Sequence, residues 1–144
     1  MFANEVDTKA SPLSGIEPGA AVRVLDHGRR FIGHALFNPH ALICARLFSR
    51  DEAMPIGPAL FEARLRRALA LREQYVGCVH YRLVYGESDG LPGLVVDRFG
   101  DVLVGQIATL AVDVRRDQVE AALRALLSPR ALVWKNDGGS RDLE

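Results

Sequence analysis

Residues 81–100 read YRLVYGESDGLPGLVVDRFG, and the rest of the chain is organised around them. Two apolar runs, Tyr81 to Tyr85 and Leu94 to Val96, flank a loop in which Gly86, Gly90, Pro92 and Gly93 punctuate Glu87, Ser88 and Asp89. The pattern is strand, structured loop, strand. Glycine at 90 and 93 permits positive φ or close backbone approach, and Pro92 removes a donor and fixes φ, so the loop is specified residue by residue. A loop so constrained is expected to pack against something.

Working outward, Val102 to Ala108 reads as a further strand, joined through a short Phe99-Gly100-Asp101 turn. Asp113 is expected to cap a helix near Val114 to Leu127, with an apolar face of Val119, Ala122, Leu123, Leu126 and Leu127. Ser128 and Pro129 stop it, and Ala131 to Lys135 forms the last strand. On the other side, Pro58 opens a helix whose Phe61, Leu65, Ala68, Leu69 and Tyr75 or Val76 recur at helical spacing, ending before Gly77. Ahead of a polar connector, Ser49 to Gly57, three strands are predicted: Ala21 to Leu25, Phe31 to Phe37 and Leu42 to Phe48, with turns at Asp26 to Gly28 and Asn38-Pro39. Short strands with turns between them suggest a small barrel, preceded by an extended arm from Met1 to Pro18.

Composition narrows the function classes. The 144 residues carry 49% hydrophobic and 25% charged side chains, an ordinary globular balance, and no apolar run approaches the ~20 residues that span a membrane. No basic segment followed by an apolar stretch opens the chain, so no secretory signal is read and the cytoplasm is the expected location. Cys44 and Cys78 form no C-x-x-C pattern and are expected to be free thiols, small buried hydrophobes rather than nucleophiles. Eighteen basic residues balance eighteen acidic ones, which argues against a chain that grips nucleic acid over its whole surface. Residues 1–50 are nevertheless mildly basic, with six cations against four acids, whereas residues 81–144 hold eight against ten.

Three segments resemble, in order, the large-subunit ribosomal RNA cytosine-C5 methyltransferases that carry an N-terminal PUA domain. GESDGLPGLVVDRFG, from Gly86 to Gly100, looks like a signature of that family; FNPHALICARLFS, from Phe37 to Ser49, resembles its PUA hairpin; DGGSRDLE, from Asp137 to Glu144, resembles the start of its next segment. The resemblance implies an α+β chain in three parts. These are a PUA-like β-barrel over residues 1–56, a linker helix over 57–76 and a small β-β-α-β domain over 77–144. In the family a basic arm with a His-Pro-Trp-type run supplies the barrel's first strand; here Met1 stands directly before Phe2, so that strand is expected to be missing.

The chemistry of such enzymes needs a Gly-rich turn for S-adenosylmethionine and a cysteine nucleophile, and the sequence offers neither, since no G-x-G-x-x-G order opens a helix. The expectation is therefore a chain without catalytic residues, cofactor or metal, its Rossmann domain absent, S-adenosylmethionine belonging to the full-length family. Glu87, Asp89 and Asp97 lack metal-ligand spacing and read better as loop caps paired with Arg82 and Arg98. Arg23, Arg29, Arg30 and Arg46 are the candidate contacts to ribosomal RNA, against an ordinary solvated face. Glu87, Asp89, Gly90, Leu91, Pro92 and Gly93 are read as an interdomain docking loop with Leu91 partly uncovered, through which the isolated chain would self-associate. The rival class is an autonomous protein-interaction module that binds no RNA.

Overall fold

The computed structural model describes residues 1–10 and 12–136, so the expectation for Asp137 to Glu144 lies outside the described residues. The fold is α+β. Strands β1 (Ala21–Leu25), β2 (Phe31–Phe37) and β3 (Ala45–Ser49) form a three-stranded antiparallel sheet in sequence order. Helix α1 (Pro58–Tyr75) follows, with proline in its first turn, where the missing N–H removes no helical bond. A second sheet then takes the order β4 (His80–Tyr85), β5 (Leu94–Phe99), β6 (Val102–Ile107) and β7 (Ala131–Trp134). Its first two pairings are antiparallel; β6 and β7 are parallel, with helices α2 (Leu110–Asp113) and α3 (Arg116–Leu127) in the crossover.

Register assigns each sheet two faces. In the first, Ala35 and Phe37 of β2 lie with Val22, Val24, Ala45 and Leu47 in a small cluster that also takes Cys44, Val6, Leu13 and Ile16. Leu36 points the other way and joins Phe48 in the main core, together with Leu60, Phe61 and Leu65 of α1, Val119 and Leu123 of α3, and Leu94, Val96 and Leu103 of the second sheet. One continuous core therefore runs from the first sheet to the last strand. Two small sheets gain from this arrangement, since neither has enough apolar area to be stable by itself.

The loop between β4 and β5 is a 3-10 turn, Gly86–Asp89, closed by Gly90 in the left-handed region at φ 70°. The N–H groups of Gly90 and Leu91 donate to Glu87 O and Gly86 O at 3.0 Å each, which turns the chain inward. Leu91 is consequently fully buried, a correction to the expectation of an uncovered docking loop. Gly93, at φ 80°, lies so close to Thr109 that an added Cβ would come within 2.5 Å of its hydroxyl, so this position requires glycine twice over. Asp89 is the loop's anchor: its carboxylate takes two bonds from the Arg72 guanidinium, at 2.6 and 2.7 Å, and one from the Tyr85 N–H at 2.6 Å.

Four other expectations change. The third strand begins at Ala45 rather than Leu42, because Asn38 builds a wider turn: its Oδ1 accepts the His40 N–H at 3.0 Å and its N–H donates to Cys44 O at 2.8 Å. Leu42, outside the ladder, is exposed. Asp113 does not cap the long helix; it ends a separate turn, and α3 starts after Arg115. The second sheet has three strands ahead of that helix, as the apolar runs predicted but one more than the β-β-α-β order that the resemblance implies. Cys44 is buried as expected, but Cys78 is exposed at the helix-to-strand junction.

Two outcomes test this assignment. Asp89→Ala leaves Arg72 and the Tyr85 N–H without their acceptor in a nearly dry site, and is expected to destabilise by about 3–5 kcal/mol in chemical denaturation. Leu91→Ala is expected to lose ~2–5 kcal/mol, the range for a buried leucine, where a surface leucine would lose under ~0.5.

Candidate nucleic-acid interface

The four arginines singled out from the sequence do not share one surface. Cross-strand register pairs Arg23 with His34 and Arg46 with Leu36, which turns both arginines to the side of the sheet that meets the second unit. Arg46 reaches Glu87 of the loop at 3.5 Å and keeps only a quarter of its side chain exposed. Arg23 pairs with Glu52 of the connector, and its guanidinium lies 5.5 Å from the centre of the Phe31 ring. His34 shares a contact with the Glu52 carbonyl oxygen, at 3.1 Å. These two arginines help to seat the first sheet.

Arg29 and Arg30 are different. Both are exposed at the tip of the turn joining β1 to β2, a turn organised by Asp26. The Asp26 carboxylate accepts the N–H groups of Gly28 and Arg30 at 2.8 and 2.9 Å and the Arg30 Nε at 2.7 Å. The Arg30 backbone N–H and then its guanidinium hold the Asp26 carboxyl below its ordinary range. Arg29 adopts φ 62°, a conformation that costs a residue with a Cβ about 1 kcal/mol and that glycine takes freely. The turn therefore holds a bulky cation at its apex against local preference.

The three carboxylates are all answered by arginine, Asp97 by Arg82 as expected and Glu87 and Asp89 by arginines not expected. Asp97 takes both forks of Arg82, at 2.8 and 3.0 Å, and this hydrogen bonding raises the Arg82 pKa. Asp89 belongs to Arg72 and Glu87 to Arg46, while Arg98 donates to the Tyr81 hydroxyl and to Gly100 O. Arg72 and Arg64 were missed from the sequence as structural residues, although both fall on the apolar stripe of α1, where a cation is out of place unless partnered. Arg64 donates to Phe48 O at 3.3 Å across the junction between the two units. Arg115, its pKa lowered by burial, donates to Gly19 O at 2.5 Å across the same junction.

Among the described residues no three His, Cys, Asp or Glu side chains converge as metal ligands. The strand-to-helix turn after β6 does not offer the Gly-rich cradle that S-adenosylmethionine takes. That turn, Ala108-Thr109, has no glycine, and Thr109 is packed against Gly93 where a cofactor cradle would need open backbone. Among the described residues no helix is long and apolar enough to cross a membrane.

Comparison with known proteins agrees with this reading of the fold. Residues 1–50 match the family model of the PUA-like domain. Over 130 residues the chain is 35% identical to ribosomal RNA large subunit methyltransferase I of Cronobacter sakazakii, a match covering 88% of this chain and 33% of that protein. It is 35% identical over 122 residues to the protein of the same name from Pseudoalteromonas translucida, covering 83% of this chain and 31% of that one. The chain thus spans about a third of the length of these relatives. Among solved structures it superposes on SMU.776, a candidate methyltransferase complexed with SAH, with a TM-score of 0.73 over 89% of this chain and 35% of that one, at 18% identity. The chain is thus similar, over most of its own length, to about a third of the ribosomal RNA large subunit methyltransferases, and its first 50 residues match a PUA-like domain.

Proposed function

We propose that this chain is the RNA-docking, non-catalytic portion of a cytoplasmic ribosomal RNA cytosine-C5 methyltransferase, orienting large-subunit ribosomal RNA for a catalytic portion that binds S-adenosylmethionine. The observation that carries this reading is the joint match of residues 1–50 to a PUA-like domain and of nearly the whole chain to methyltransferases acting, by name, on ribosomal RNA. Of the four arginines, the proposal assigns phosphate contact to Arg29 and, beside it, to Arg30, whose Nε is held by Asp26 while its side chain stays 81% exposed. Arg23 and Arg46 are engaged with Glu52 and Glu87 at the junction, and binding phosphate through them would first give up those pairs, at up to about 1 kcal/mol each. A strained cation at an exposed tip is the kind of outlier from which a functional role can be inferred.

The rival reading, an interaction module without an RNA role, differs in salt dependence, because phosphate contacts release counterions and apolar contacts do not. Arg29→Glu with Arg30→Glu is expected to weaken binding to a large-subunit ribosomal RNA transcript about uniformly across sequences and to flatten the log-log salt slope by roughly 0.7–0.9 per lost contact. Arg29→Gly separates structure from binding. It removes the cation while relieving the positive φ, so melting temperature should hold or rise as affinity falls. An unchanged salt slope in both variants would return these arginines to an ordinary solvated turn.

A further inference from the structure

The second sheet has one face in the main core and one face on which none of the described residues packs as a further layer. Register arranges the open face in three rows: Tyr85, Val95 and Gln106; then Arg82, Asp97, Val104 and Val133; then His80, Phe99, Val102 and Ala131. Tyr85, Phe99 and Val133 are 56%, 52% and 51% exposed, and Val95, Val102 and Val104 belong to neither core cluster. Both helices that pack on this sheet, α1 and α3, lie on the opposite face with Val96, Leu103 and Trp134. A β-branched and aromatic centre with polar ends is the composition of a protein contact.

We infer that this open face is where two copies of the chain associate, sheet against sheet, in a weak isologous dimer. Charge favours a second copy over the other occupants. The chain is formally neutral, with a pI near 6.9, so two copies do not repel at physiological pH. The one ion pair in the centre of the face, Arg82 with Asp97, is closed within each copy, so neither charge would be buried without its partner. The same closure disfavours RNA, because Asp97 cancels the arginine that would otherwise meet a phosphate. Size sets the strength. Four strands about 4.8 Å apart and six residues long at about 3.4 Å each present a flat area on the order of 350 Å², which places the dimer among transient contacts that bury less than ~1,200 Å² in total. This inference does not rest on the RNA reading.

Sedimentation velocity of the 144-residue chain over roughly 5–500 μM tests it. The expected result is a monomer-dimer equilibrium with Kd on the order of 100 μM that is insensitive to salt. Val133→Asp and Tyr85→Asp should each raise Kd at least about tenfold, with thermal melting unchanged, while Phe2→Asp, at an exposed apolar residue outside this face, should leave Kd as it is. Should Val133→Asp fail to fold, Tyr85→Asp at the end of the sheet carries the test. A chain that stays monomeric throughout overturns the inference. So does a dimer that survives the Tyr85→Asp, Val133→Asp double variant, or one that Phe2→Asp abolishes instead.

Discussion

The fold depends on one ion pair. Arg72, near the end of α1, donates its two terminal nitrogens to Asp89 and its Nε to the Arg82 carbonyl at 3.1 Å, so one side chain ties the helix to β4 and to the loop that follows β4. The exposed fractions of the two side chains, 15% and 5%, mean that water scarcely competes. Such a pair adds little net stability compared with a well-packed apolar substitute, because desolvation offsets most of the attraction. What it supplies is geometry. A planar fork matched to a carboxylate fixes distance and orientation together, which a lysine could not do. With Asp89 fixed, the Tyr85 N–H has its acceptor, the 3-10 turn has its shape, and Leu91 is aimed into the core.

The same loop joins the two sheets. Its outer rim carries Glu87, which meets Arg46 of β3, and Gly90, whose missing Cβ leaves room for the Arg64 side chain as that residue reaches the Phe48 carbonyl. Leu36 and Phe48 add the apolar part of the junction, and Arg115 stitches its far side at Gly19. An interface with this many partnered arginines around a shared core transmits orientation. Wherever the second unit is held, the turn bearing Arg29 and Arg30 points in a fixed direction. For a module whose proposed role is to orient a substrate, that rigidity is more useful than additional affinity.

Much of this was legible in the sequence, for identifiable reasons. Helix α1 is announced by Pro58 and by apolar residues recurring at helical spacing, and β1, β2 and the β4-to-β6 hairpins by alternation between glycine-bearing turns. The failures share a cause, which is that local patterns do not report long-range partners. Leu42 to Cys44 is as apolar as a strand, but the Asn38 turn takes those residues out of the ladder. Leu91 between glycines looks like a surface leucine until Asp89 is known to be pinned by a helix seventeen residues upstream. The arginine candidates came from composition, and composition does not reveal that Glu52 and Glu87 stand opposite two of them.

The open sheet face raises a question of negative design, since exposed sheets associate most readily through their edges. Both edges here are poor templates. Strand β4 carries a register shift between Arg82 and Val84, and such a bulge twists the edge and interrupts its row of hydrogen-bonding groups. Strand β7 has only four residues, and beyond it the Asn136 side chain accepts the Ile107 N–H that a longer strand would have used. A chain that protects its edges in this way while leaving Tyr85, Phe99 and Val133 uncovered has blocked continuous strand addition but not face-to-face contact. Edge pairing propagates into fibres, whereas stacking of one face on one face closes after two copies. The exposed valines are therefore compatible with a well-behaved protein, because the surface they form can be satisfied once and then has nothing further to recruit.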